Sequence, residues 1–452
     1  MFQLGKSRRP MIAVTALAAT ALTMAACGSN GPTEGGGGTS TDPGGSTDVD
    51  VDPGELSGDL LLWGWGNALD PMVEEFTSIH PDVSIDLVNV GTGLDHYTAV
   101  ENAVAAGSGI PDVIVMEYLA VPQFALNGTL ANLSEFGADQ YSDTFTPGTW
   151  GSVQFDGGIY SLPMSSGPTA LFYNEAVFDQ HGLDVPATWD EYLEAARALN
   201  EADPNVYIAN DTGSANFVLG MLWQQGDQPF VVDGENVTID LESQEVENFT
   251  NLWQQLIDEN LIAPISNWSD EWYQGLANGT IATLVSGAWM PGNFESGVAD
   301  AAGDWRVAPR PQWEQGGLSS AEDGGAALGV VEASGNKDLA YAFVEWATAG
   351  DGVATRLDAT YPATSADIES EEFLAVESEY FGGQRINEVF AESAANVPEG
   401  WQFLPYQVYA NSVLNDHIGG AYTSGALLSD GIANWKNALI SYGTDQGFTV
   451  SD

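Results

Sequence analysis

The chain holds a single cysteine and four histidines in 452 residues. One cysteine excludes an intrachain disulfide, and so few, widely separated His and Cys exclude an ordinary Cys/His zinc site. Bases are scarce as well: Lys and Arg number 10 against 64 Asp and Glu, a formal net charge of −54. Three of the ten, Lys6, Arg8 and Arg9, precede residue 27, whereas the first acid is Glu34. The rest therefore carries seven bases against 64 acids, a net of −57. Seven scattered bases cannot build the cationic tract that displaces counterions from nucleic acid, and the field repels polyanions. The acids read as a solvated, solubilising surface. A long apolar run is also missing. The longest, Met11 to about Ala26, is too short and wrongly flanked for a stable membrane span.

That run follows Lys6, Arg8 and Arg9, so residues 1–26 read as an export signal. The sole cysteine, Cys27, comes directly after Met24-Ala25-Ala26 and before Gly28-Ser29. This resembles the bacterial lipobox, in which cleavage precedes the Cys and its sulfur takes a diacylglycerol. Met24 departs slightly from the usual Leu. The expectation is a lipoprotein anchored to the outer face of the cell membrane rather than spanning it. Residues 27–57 are rich in Gly, Ser, Thr, Pro and Asp, too polar to offset their ordering entropy, and read as a flexible tether. Asp48, Asp50 and Asp52 lack the Gly and Glu at the spacing of a calcium loop and read as solvated.

The remainder has globular composition, with 44% hydrophobic and 10% aromatic residues and 14 Trp. Leu60–Trp63 is a short apolar run, hence a buried strand. A helix with stripe Met72, Phe76 and Ile79 follows, then the alternating strand Val83–Val88, a helix from His96 to Ala106, and the buried strand Val113–Met116. This alternation predicts an α/β layer with a mostly parallel sheet, whose ligands bind beyond the carboxyl ends of strands. Later strands are expected at 159–164, 169–173, 281–285 and 328–331. Helices are expected at 246–257, 271–277, 338–347 and through much of 401–447. Thr188 with Glu191 forms a capping box opening another helix.

Several phrases together resemble the extracellular solute-binding proteins of sugar ABC importers, the relatives of maltose-binding protein. They are Pro111-Asp112-Val113-Ile114; Tyr160-Ser161-Leu162-Pro163 with Leu171-Phe172-Tyr173-Asn174; and Pro186-Ala187-Thr188-Trp189-Asp190-Glu191. Ala277-Asn278-Gly279-Thr280-Ile281-Ala282 through Gly287-Ala288-Trp289 follows, then Gly324-Gly325-Ala326-Ala327-Leu328-Gly329-Val330, and Asn336-Lys337 before Ala340-Tyr341-Ala342-Phe343-Val344. Their order spans roughly residues 58–445. The resemblance implies a two-lobed periplasmic-binding-protein-like fold, each lobe a mostly parallel sheet flanked by helices. Hinge strands join the lobes, and ligand is clamped between them. The crossings fall near Ser165, Gly325 and Tyr361-Pro362-Ala363-Thr364. The first lobe is then 58–165 with 325–362, and the second 166–324 with 363–452.

A sugar presents C–H faces and a hydroxyl rim, so its site wants aromatic platforms beside Asp, Glu, Asn or Gln. Trp65 and Asn67 follow the first strand, as platform and hydroxyl partner, unless Trp65 is lobe packing; Trp63 reads as core. Glu117 and Tyr118 end the third strand, where the resemblance implies a carboxylate that accepts sugar hydroxyls. Ser165 and Ser166 lie at the first crossing. Trp289, in a phrase resembling the family's Gly-x-Trp, is the leading stacking candidate, its alternative a core Trp under the hinge. Asn216 and Trp223 lie where relatives approach the cleft. Gly325 either lets backbone approach ligand or serves hinge geometry alone. Tyr361, Trp401 and Tyr406 are late aromatics near loops.

The expected function is capture of a carbohydrate, an oligosaccharide by its aromatic wealth, and delivery to the membrane permease of an ABC importer. The chain is expected to be a monomer, with no cofactor, metal or chemistry on the ligand. A polyamine or other small solute on the same fold is the alternative. A secreted glycoside hydrolase is the catalytic rival, although no phrase resembles one and 64 acids make any imagined carboxylate pair uninformative. No Gly-x-Ser-x-Gly elbow or Walker phrase occurs in context.

Overall fold

The computed structural model describes residues 56–452 apart from Asp358. The expected signal, Cys27 and most of the tether lie outside the described residues. No helix among the described residues is long and apolar enough to cross a membrane.

The first sheet grows from Val113–Glu117, whose Val113, Ile114, Val115 and Met116 are all buried. A strand covered on both faces needs such an unbroken apolar run. Gly58–Trp63 lies parallel to it on one side and pairs in parallel with Val83–Val88. On the other side Ala326–Val330 runs antiparallel and is flanked in turn by antiparallel Leu162–Ser165. Four of the five strands thus run in one direction, and Ala326–Val330 alone is reversed. Helix Leu69–Ile79 buries Leu69, Met72 and Phe76, a stripe at helical spacing. Phe76 meets Phe343 of helix Lys337–Ala349 edge-on at 5.1 Å. Helix Leu94–Ala106 ends where Gly107 turns left-handed, its N–H returning to the Ala103 and Val104 carbonyls.

A second sheet repeats this plan. Thr169–Asn174 is flanked by Thr283–Gly287 and Trp305–Ala308, both antiparallel. Backbone bonds from Ala282 N to the Tyr207 carbonyl and from Thr283 N to the Ile208 carbonyl join it to Ala209–Asn210, which pairs in parallel with Ile262–Ala263. The strand expected at 281–285 is displaced to 283–287. Helix Trp189–Ala202 starts at a complete capping box: Thr188 Oγ1 accepts from Glu191 N at 3.2 Å, and Glu191 Oε2 accepts from Thr188 N at 3.2 Å. The 401–447 stretch folds as helices Gln407–Ser424 and Leu428–Asp445, which pack on this side.

The apolar interior follows the two sheets. Leu60, Leu62, Val115, Leu162, Leu328 and Phe343 belong to one cluster; Leu171, Leu199, Phe249, Leu414 and Trp435 belong to another. A third, around Phe172, Phe294 and Phe390, covers the other face of the second sheet. Val408 crosses from its helix into the first lobe, against Tyr97, Ile114 and Phe124.

Three chain segments link the two bodies, side by side. Ser165 bridges to Pro362 and Pro168 to Glu322, both antiparallel. Ser166 N donates to the Tyr361 carbonyl at 3.1 Å, and Asp323 N to the Gly167 carbonyl at 2.8 Å. Gly167 is obligatory here, because a Cβ would stand 2.2 Å from the Asp323 carbonyl oxygen.

Candidate ligand-binding cleft

Beside these linking segments a cleft runs between the two bodies in three connected parts. A narrow waist of about 30 Å³ is lined by Glu117, Tyr118, Leu119, Gly148, Thr149 and Ser152 of the first lobe. Asn216, Leu219, Trp223, Trp401, Phe403 and Asn411 of the second face them, with Glu322, Asp323 and Gly324 between. Through Asn216 and Asp323 the waist meets a recess of about 120 Å³ that also holds Asn210, Asp211, Asn267, Trp268 and Trp289. Through Gly148, Ser152, Trp223, Trp401 and Phe403 it meets a chamber of about 500 Å³. That chamber lies between residues 147–157 and the second-lobe turns at 232–234 and 398–403.

The carboxylates sit at the waist. Glu117 closes its strand, and its Oε2 accepts from Tyr97 Oη at 2.8 Å. Burial raises its pKa; the Tyr97 hydrogen bond opposes the rise and the charge of Asp323 adds to it. Asp323 is likewise raised by burial, against the pull of the Asn216 side chain, Arg310, and hydrogen bonds from Gly287 and Ser286. Glu322 accepts from Ser166 Oγ at 2.9 Å and Gly167 N at 2.6 Å, yet burial pushes it up to about 7. The counter-charge stands behind the wall: Arg310 is buried over the Trp189 ring at 5.6 Å, and burial brings it down to about 9. The cleft thus offers acceptors for donor groups and no exposed cation among its lining residues.

The indole surfaces come from the second lobe. Trp223 and Trp401 stack nearly parallel, with centroids 4.7 Å apart, and Trp223 Nε1 donates to the Pro398 carbonyl. Such a pair contributes about 0.5–1.5 kcal/mol beyond area burial, enough to hold both rings in place. Trp289 donates Nε1 to the Asp323 carbonyl at 2.6 Å, which ties its indole to the linking segment. Trp268 lies 5.7 Å from Trp289 and 5.0 Å from Trp272. It is a non-glycine residue at φ 67°, a conformation that costs on the order of 1–3 kcal/mol and gathers at functional sites.

Of the residues singled out by sequence, Glu117, Tyr118, Asn216, Trp223, Trp289 and Trp401 line the cleft. The others sit elsewhere. Trp65 is half-buried against His96, centroids 4.9 Å apart, and lines none of the three parts; Asn67 is exposed beside it. His96 is buried in that packing, and its burial lowers the imidazole to about 4, so it stays neutral. Ser165 and Ser166 are buried ties: Ser165 Oγ accepts from Ala326 N, and its carbonyl accepts from Tyr118 Oη at 2.7 Å. Gly325, at φ 81°, is required by packing, since a Cβ would meet the Tyr118 ring at 2.6 Å. Tyr361 is buried against Phe373 and Phe390, and Tyr406 against Tyr442 and Phe448.

Sequence reasoning missed Asp323, Glu322, Trp268, Phe403, Asn411 and the short helix Pro147–Ser152. Only Asp323 carried a signal, its place directly before Gly324-Gly325. Asn411 Nδ2 donates to Asn216 Oδ1 across sequence positions that no periodicity connects.

This two-lobed architecture is shared with known proteins. The family described as bacterial extracellular solute-binding protein matches residues 64–354, and the chain belongs to it. The ABC transporter associated binding protein from B. animalis subsp. lactis Bl-04, solved in complex with β-1,6-galactobiose, is 40% identical with a TM-score of 0.81. The match covers 88% of this chain and 100% of that one. The galacto-N-biose/lacto-N-biose I-binding protein of Bifidobacterium longum shares the fold at TM-score 0.77 and 21% identity, over 87% of this chain and 99% of that one. The arabinooligosaccharide-binding protein of Halalkalibacterium halodurans is 27% identical over 67% of this chain and 69% of its own length.

Proposed function

We propose that the protein captures a neutral oligosaccharide in the cleft and delivers it to the membrane permease of an ABC importer, without chemistry on the sugar. One observation carries this reading: indole surfaces on one wall, at Trp223, Trp401, Trp268 and Trp289, beside carboxylates and amides at Glu117, Asp323 and Asn216. Rings suit the C–H faces of a sugar, and the polar groups suit its hydroxyls. A polyamine would want the acids without the platforms. The relatives' names support the sugar, and the 40% identical protein with β-1,6-galactobiose supplies the first probe.

Ligand that touches both walls favours the closed arrangement by its differential affinity, and the closed form is what the permease would read. The lobes are assigned as 58–165 with 325–362 and 166–324 with 363–452. The chain is exported as its family implies, and Cys27 is proposed to carry a lipid anchor. The mature protein acts as a monomer.

A thermal-shift and calorimetry series with galactobiose, lactose, maltotriose, arabinotriose and spermidine tests this. A concentration-dependent rise in melting temperature with a sugar, recovered intact, is expected. A shift with spermidine alone, or recovery of cleaved sugar, overturns it.

A further inference from the structure

The cleft is unlike at its two ends, and on the carbohydrate reading that difference decides which end of a chain is recognised. The recess is walled by second-lobe residues and the linking segment alone, and its back is formed by the buried Trp253 and Trp272. Within it, Asp211 is held by hydrogen bonds from Trp253 Nε1 at 2.8 Å and from Gly213 N at 2.8 Å. The other end is a chamber about four times larger, lined by residues of both lobes.

Trp268 lines the smaller end. It is 52% exposed, the only Trp among the large hydrophobic side chains left in solvent among the described residues. A structural role is available, since it precedes the N-cap Ser269 and approaches Tyr273 at 6.5 Å, as a hydrophobic staple would. A staple needs neither the left-handed backbone nor the closer approach to Trp289 at 5.7 Å. The left-handed turn instead accompanies a ring that lies beside Trp289 in the recess lining.

We propose that the site binds oligosaccharides end-on. One terminal sugar ring enters the recess and is bounded by Trp268, while the rest of the chain passes the waist and leaves through the chamber. The substrate class is a set of neutral oligosaccharides that share one terminal unit and vary in length at the other. Trp268 is then a specificity-determining residue that rejects extension at the recessed terminus.

The test uses calorimetric titration of the full chain with β-1,6-galactobiose, β-1,6-galactotriose, lactose and maltotriose. Each is taken as the free sugar, as its methyl glycoside and as a derivative bearing one extra hexose on the non-reducing end. For the sugar that binds, modification of one terminus is expected to weaken binding at least 100-fold and of the other less than threefold. Trp268→Ala is expected to shrink that ratio at least tenfold. Trp268→Gly, which relieves the left-handed backbone, serves if the Ala variant does not fold. Equal tolerance of both termini, or an unchanged ratio in a folded variant, overturns the end-on proposal and leaves the carbohydrate reading standing. No binding by any sugar in the panel overturns both.

Discussion

The two lobes are built on one plan and present opposite walls. In each sheet one strand, Ala326–Val330 in the first and Thr169–Asn174 in the second, runs against all the others. Yet the first lobe lines the waist with Glu117, Tyr118, Leu119 and the small residues Gly148, Thr149 and Ser152, whereas every cleft-lining Trp belongs to the second. Apolar contact scales with area, while hydrogen bonding depends on geometry. The second lobe is therefore equipped to hold a sugar before closure, and the first to check its hydroxyls on closure. The same sheet serves both tasks because most of the lining comes from helices and loops beyond the strands, as with Thr149, Asn216, Trp223 and Trp401.

The comparison is broken most directly at the rings. Trp289→Ala should weaken sugar binding by about 1–3 kcal/mol, read by titration calorimetry with circular dichroism unchanged. The matching first-lobe change, Trp65→Ala, should alter affinity by less than about threefold, or roughly 0.6 kcal/mol, because that ring packs on His96 away from the cleft. Equal losses would dissolve the division of labour.

The linking segments sharpen it through pH. Glu322 is pushed up to about 7 in the folded protein, against an ordinary value of 4.5. Between those values the folded state holds the proton and the unfolded state does not. Stability contributed by this group therefore grows as pH falls from 7 toward 4.5, on the order of 1–3 kcal/mol. Melting curves across pH 5–8 should show that slope diminished in Glu322→Gln. An identical slope in both proteins would remove Glu322 as its source. Gly325→Ala should destabilise by about 1–2 kcal/mol, since its Cβ would meet the Tyr118 ring; chemical denaturation measures it. The smallest effect is expected far from the cleft. Thr188→Ala should lower stability by about 1 kcal/mol and leave sugar affinity as it was.

Much of the fold was legible because its signals are local. The buried run at 113–116, the stripe Met72 and Phe76, the left-handed stop at Gly107 and the Thr188 capping box each depend on a few neighbouring residues. The cleft was legible where a side chain ends a strand, as at Glu117, or sits in a familiar phrase, as at Trp289. It was opaque where burial decides. Tyr361 and Tyr406 have the composition of platforms and serve as core, because an aromatic ring suits either setting. Trp268 and Asn411 went unread because their roles arise from contacts across distant parts of the chain.

The side-by-side linking segments have a mechanical consequence. Three ribbons laced edge to edge by Ser166 to Tyr361 and Asp323 to Gly167 resist twisting and sideways sliding, yet flex readily across their width. Tyr118, reaching from the first lobe to the Ser165 carbonyl, acts as a stay against that plate. Such a joint leaves the jaws one direction of travel. A membrane partner then needs to distinguish only two silhouettes.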